Sequence, residues 1–159
     1  MSTFFVTSID VNVPVRNAYN QWTQFEDFPR FIEGVKQVHR FDDRHLHWKA
    51  EVGGKGKEGE MEITEQTPDQ RIAWRSQAGA IINEGVVSFQ QLSSSRSKVW
   101  LQLTYNPEDV VTHVGDAYGM VSSHVHRVLE RFKAFIETRG RETGARRDPS
   151  MAKLRPGAP

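Results

Sequence analysis

The chain has 159 residues, about one ordinary domain, and its 37% hydrophobic and 26% charged residues describe a folded chain rather than a disordered one. A net charge of +1 gives no case for nucleic-acid binding, and the absence of cysteine removes disulfides, thiolate nucleophiles and Cys-type zinc sites together. No run approaches the roughly 20 apolar residues of a membrane span, and the start of the chain passes into strand-like sequence with no charged segment and apolar run before it, so a cytoplasmic protein with no integral membrane association is expected.

The segment Phe4 to Val13 alternates from Ser8 onward, with Ile9, Val11 and Val13 on one face and Ser8, Asp10 and Asn12 on the other, which predicts a half-buried strand ended by Pro14. From Val15 to about Gln24 the spacing becomes helical, with Val15, Ala18, Tyr19 and Trp22 on one stripe. Phe25 to Gly34 reads as a second short helix, capped by Asp27 and stopped by Gly34. Six strand-like runs follow, separated by turn chemistry: Val35 to Phe41, His45 to Val52, Glu58 to Thr67, Arg71 to Ser76, Glu84 to Gln90 and Lys98 to Tyr105. Their spacing predicts an antiparallel meander.

The last element is a long helix. Asn106 suits its N-cap, Pro107 its first position, and Glu108 and Asp109 the positive end of its dipole. Apolar residues recur at Val110, Val114, Tyr118, Val121, Val125, Val128, Phe132 and Phe135, and Gly140 follows Arg139 as a C′ glycine should. At the usual rise such a helix is on the order of 45–50 Å long. The expected organisation is therefore one domain over residues 1–140 and a flexible Arg-rich tail over residues 141–159.

The strands sort their residues by face. Leu46, Trp48, Ala50 and Val52 share one face of their strand; Met61 and Ile63, Ile72 and Trp74, and Val99, Leu101, Leu103 and Tyr105 do the same on theirs. Glu58, Glu60 and Glu62 lie opposite, with Arg71 and Arg75, as a solvent-facing surface of cross-strand ion pairs. Val86 and Val87 are both apolar and leave the inner face of their strand open. Only the final helix has the length and stripe to cover the apolar face. Trp48, Met61, Trp74, Leu101, Leu103, Tyr105, Val114, Tyr118 and Val121 then either fill a core or line a cavity between sheet and helix.

Certain phrases carry a resemblance. The stretch Ile9-Asp10-Val11-Asn12-Val13-Pro14-Val15 before Ala18-Tyr19-Asn20-Gln21-Trp22, and the stretch Phe25-Glu26-Asp27-Phe28-Pro29-Arg30-Phe31 leading into Gly34-Val35-Lys36, resemble the START-related polyketide cyclase/dehydrase and lipid-transport superfamily. Arg71-Ile72-Ala73-Trp74-Arg75-Ser76 and Gly85-Val86-Val87-Ser88-Phe89 resemble its middle strands, and the likeness runs from about Phe4 to Thr138. The resemblance implies an α+β helix-grip (Bet v 1-like) fold with a deep apolar cavity under the C-terminal helix. It also implies a small hydrophobic ligand, lipid-, quinone- or polyketide-like, and it brings no universal catalytic motif and no cofactor.

The remaining candidates are chemical. His45 and His47 stand two apart on one strand face, a metal-compatible spacing, but that face is charged and no third ligand is evident, so no metal is expected. His113 sits beside the apolar stripe near the expected cavity mouth, as a partly exposed helix-edge residue or a general base; His124 borders the stripe and His126 faces outward. Tyr105 and Tyr118 each offer an apolar ring with a hydroxyl that can orient a ligand or polarise a carbonyl. Gly53-Gly54-Lys55-Gly56-Lys57 lacks phosphate-loop spacing and reads as a hairpin turn. Three functions stay open: an apolar-ligand carrier; a polyketide cyclase or aromatase using Tyr105, Tyr118 or His113; and a protein-interaction module using the loops or the Arg-rich tail.

Overall fold

Alternation does build a strand at the start of the chain, and it begins earlier than its polar positions suggest. Strand β1 spans Thr3–Val11. Phe5 turns inward against the core, whereas Phe4 and Val6 turn outward, 58% and 41% exposed. The computed structural model describes residues 3–52, 55–77, 82–106 and 117–144. Helix α1 (Val15–Trp22) follows, its first turn closed on the Pro14 carbonyl, which accepts from the N–H groups of Asn17 and Ala18 at 3.0 and 3.2 Å. The second short helix is a 3-10 helix, Phe25–Arg30, and Asp27 lies within it rather than at its cap. Gly34 then turns the chain with φ +91°, a conformation that favours glycine.

The meander comprises β2 (Val35–Arg40), β3 (His45–Val52), β4 (Lys55–Thr67), β5 (Arg71–Ser76), β6 (Ile82–Ser93) and β7 (Arg96–Tyr105). All neighbours pair antiparallel in the order β1-β7-β6-β5-β4-β3-β2, so the first strand of the chain lies beside the last. Register shifts interrupt β2 between Val35 and Gln37 and β4 between Ile63 and Glu65. Such bulges add local twist, and twist is what turns a sheet into a trough.

Helix α2 (Ala117–Arg139) lies in that trough. It buries Val121, Val125, Val128, Leu129, Phe132 and Ile136. Leu129 and Ile136 thus join the expected stripe, while Phe135 sits partly buried at its edge. Gly140 ends the helix at φ +79°, its N–H donating to the Ile136 carbonyl at 3.0 Å. The expected start at Asn106-Pro107 and the positions Val110, His113 and Val114 lie outside the described residues or at their border, as do residues 145–159.

Aromatic rings close one end of the trough. Trp22 meets Phe28, Phe31 and Phe132 with ring centroids 5.5, 5.4 and 5.1 Å apart, and Phe25 meets Phe28 at 5.3 Å. The Phe28 and Phe31 contacts are edge-on and the Phe132 contact is tilted, and such ring packing adds to the stabilisation from buried area. At the β1 side, Lys133 Nζ donates to the Asp10 carbonyl and to Glu137, whose carboxylate accepts from the Asn12 N–H at 2.7 Å.

The chain does not leave the fold at Gly140, where the sequence pattern placed the domain boundary. The Asn17 and Asn20 amides donate to the two Glu142 oxygens at 2.6 and 2.9 Å. Thr143 exchanges two hydrogen bonds with the Gln21 amide and donates to Asp27. These partners are polar and unpatterned, so hydrophobic periodicity carries no trace of the contact. Burial of the Glu142 carboxyl opposes its ionisation, but the amides of Asn20 and Asn17 outweigh that and hold it below the ordinary carboxylate range. A depressed folded-state value gives stability that is complete above the unfolded value near 4.5 and lost as pH falls through the lower one. Glu142→Gln is therefore expected to lower stability at neutral pH and to flatten its loss in acid, as read from urea midpoints taken between neutrality and acid.

Candidate functional site

Antiparallel register puts paired residues on the same face, and the pairs Phe5–Leu103, Leu103–Gly85, Gly85–Trp74, Trp74–Ile63, Met61–Leu46 and Trp48–Gly59 all face the trough. The inner face of β6, left open by sequence, is thus Gly85, Val87 and Phe89, since Val87 pairs with Leu101 and Phe89 with Val99. Val86 turns outward with Ser88 and Glu84.

Burial along this face is uneven. Val38, Leu46, Ile63, Ile72, Val87, Phe89 and Val99 are buried on this face. On the same face Phe5, Ile9, Trp48, Met61, Trp74 and Ile82 are only partly buried although they pack against the core. Large apolar side chains on an inward face normally lose nearly all contact with solvent. Here three of the residues expected to line a cavity, Trp48, Met61 and Trp74, keep part of theirs.

The other expected residues fall differently. Leu101, Leu103 and Val121 are buried, at 3%, 6% and 5% exposure, and pack as core. Tyr105 is fully buried, its hydroxyl oxygen included. Tyr118 belongs to α2, but its side chain, like His113 and Val114, lies outside the described residues. Sequence reasoning missed Gly59 and Gly85, which lie directly opposite Trp48 and Trp74; glycines inside strand patterns were the available signal.

The histidines are occupied elsewhere. His45 Nδ1 lies 2.8 Å from Asp42, and His47 Nε2 lies 3.0 Å from Glu58, so the two rings turn to different carboxylates. Among the described residues no three metal-ligating side chains converge. On α2, burial lowers the His124 imidazole below its ordinary value, Arg127 adds to that and Glu33 opposes it, while His126 is exposed and meets the Phe5 ring at 5.8 Å. The convex face carries the expected ion pairs, including Arg75–Glu62 at 2.8 Å and Arg71–Glu65 at 3.0 Å.

A curved seven-stranded antiparallel sheet holding a C-terminal helix defines the helix-grip class of α+β proteins. The chain belongs to the polyketide cyclase/dehydrase and lipid transport family, whose pattern matches residues 11–134. It is 49% identical over 137 residues to an uncharacterized 17.2 kDa protein of Streptomyces lincolnensis, covering 86% of this chain and 91% of that one. A solved structure from Deinococcus radiodurans, 26% identical, superposes with a TM-score of 0.65 over 87% of this chain and 99% of its own. The Zhui aromatase/cyclase of a Streptomyces species shares the fold at 14% identity, with a TM-score of 0.70 over 92% of this chain and 100% of its own. No helix among the described residues is long and apolar enough to cross a membrane.

Proposed function

We propose that this protein holds a small apolar molecule, lipid-, quinone- or polyketide-like, between the open half of its sheet and the C-terminal helix. The observation that carries this reading is the partial exposure of Trp48, Met61 and Trp74 on a face most of whose apolar residues are buried. Burying such rings against a ligand stabilises the complex by about 25 cal/mol per Å² removed from water, before the cost of association. Membership of a family that includes lipid transport supports it. Tyr105, Leu101 and Leu103 lie on the sheet side of this site, and Val121, with Tyr118 and Val114, is its expected wall on the helix side. Two of the protein's four tryptophans, Trp48 and Trp74, lie at the site, so ligand entry should change indole emission. Titration with fatty acids, quinones and aromatic polyketides tests this; a saturable change with one class supports the reading, and a flat response to all three counts against it.

A second reading is catalytic. The family's cyclase and dehydrase members and the Zhui aromatase/cyclase fold favour a polyketide cyclisation or dehydration in the same place. In that case Tyr105, Tyr118 or His113 would polarise or deprotonate a ketone. Turnover lost on Tyr118→Phe with ligand affinity kept would mark an enzyme; the same change leaving only binding to measure would mark a carrier.

A further inference from the structure

A cross-strand neighbour decides how a tryptophan lies on a sheet. Trp48 pairs with Gly59 across β3 and β4, and Trp74 pairs with Gly85 across β5 and β6. A Cβ placed on Gly59 would sit 2.7 Å from Trp48 Cζ2 and 3.1 Å from its Cε2. One placed on Gly85 would sit 2.8 Å from Trp74 Cη2 and closer still to Cζ2 and Cε2. Real side chains do not tolerate such approaches, so each indole occupies the volume in which its neighbour's side chain would begin. Both rings therefore lie down across the next strand instead of standing up into the trough.

Neither glycine is needed for a turn. Both lie within strands, where glycine lacks a side chain to pack and weakens the strand, and such positions often mark a close approach by a ligand or another chain. Covering a strand glycine with an aromatic ring offsets part of that loss. The arrangement also has a consequence for shape. With the rings laid down, the open half of the trough has a low aromatic floor; with the rings displaced, two bulky groups would project into the space above it.

We infer that Gly59 and Gly85 are specificity-determining positions, which keep the Trp48 and Trp74 rings against the sheet so that the site takes a ligand with a flat ring system in preference to a flexible chain. This rests on the ligand-binding reading above. Ring-on-ring contact adds to the gain from buried area, and a flexible chain has none of it while losing more conformational freedom on binding.

The test uses two fluorescent probes, aminoanthracene as the flat ring and parinaric acid as the flexible chain, titrated into wild type, Gly59→Ala and Gly85→Ala. Wild type is expected to prefer aminoanthracene. Gly85→Ala, with the tighter approach, is expected to weaken that probe on the order of tenfold by forcing the ring upward, and to change parinaric acid far less. Circular dichroism checks that each variant folds. Should Gly85→Ala fail to fold, Trp74→Leu leaves the glycine in place and removes the ring, and is expected to abolish the preference. Folded Gly→Ala variants that keep the wild-type ratio of affinities would overturn the inference, as would a wild type that prefers parinaric acid, while leaving a ligand site intact. Wild type that binds neither probe would overturn both the ligand site and this inference.

Discussion

Trp22→Ala is expected to lower the unfolding free energy by about 3–5 kcal/mol, the usual cost of emptying a large aromatic from a close-packed core. Trp22 is 2% exposed and touches rings from three separate segments: Phe28 in the 3-10 helix, Phe31 beyond it and Phe132 on α2. Helix α1 has eight residues and no side-chain cap, too short to persist without tertiary packing. Removing the indole thus leaves a cavity and also loosens the element that seals this end of the trough. Urea denaturation would show a lower midpoint with an unchanged slope if only stability moves. A loss below about 1 kcal/mol would mean that the closed end collapses around the gap and is not a rigid seal.

Removing the two floor rings together should act the other way round, weakening ligand more than fold. Trp48→Ala/Trp74→Ala is expected to reduce aminoanthracene affinity roughly 100-fold, from lost apolar area and lost ring contact on both sides of the site. Its cost in stability should be smaller than that of Trp22→Ala, because both rings are already partly exposed and the closed end is untouched. Fluorescence titration and urea denaturation on the same preparation separate the two effects. An equal loss of stability in both variants, or affinity retained in the double variant, would place the ligand somewhere other than the Trp48–Trp74 floor.

Much of this architecture is legible in the sequence because it follows from period alone. His45–Val52 and Arg71–Ser76 fall where alternation puts them, and the inward sets Leu46–Trp48, Ile72–Trp74 and Val99–Leu101–Leu103–Tyr105 are the observed ones. Period fails where apolar residues run together. Phe4-Phe5-Val6 left the inner face at the start of β1 unmarked, since two of the three are exposed, and Val86-Val87 concealed the inner face of β6 until pairing resolved it. It also fails at bulges: after the shift between Ile63 and Glu65, Gln66 pairs with Ile72 and is buried at 8% exposure, three residues from Ile63 rather than two.

The candidate site was legible only in its large residues. Trp48, Met61 and Trp74 announce themselves by type and face, but Gly59 and Gly85 gain meaning from register, which is a tertiary property. Contacts made by hydrogen bonds alone, such as Glu142 and Thr143 on α1, have no hydrophobic period to betray them. The candidate cavity residues Leu101, Leu103 and Val121 show the converse: pattern identifies an inward face, and only packing density separates the lining of a site from core.

The central claim is that the open half of the trough holds an apolar molecule, and mass spectrometry of the purified protein tests it most directly. A native spectrum compared with an organic extract of the same sample should show one stoichiometric apolar compound, and a matching mass difference between the loaded and stripped protein. A native protein of bare sequence mass, with an empty extract and no uptake from a panel of lipids, quinones and polyketides, would contradict the account.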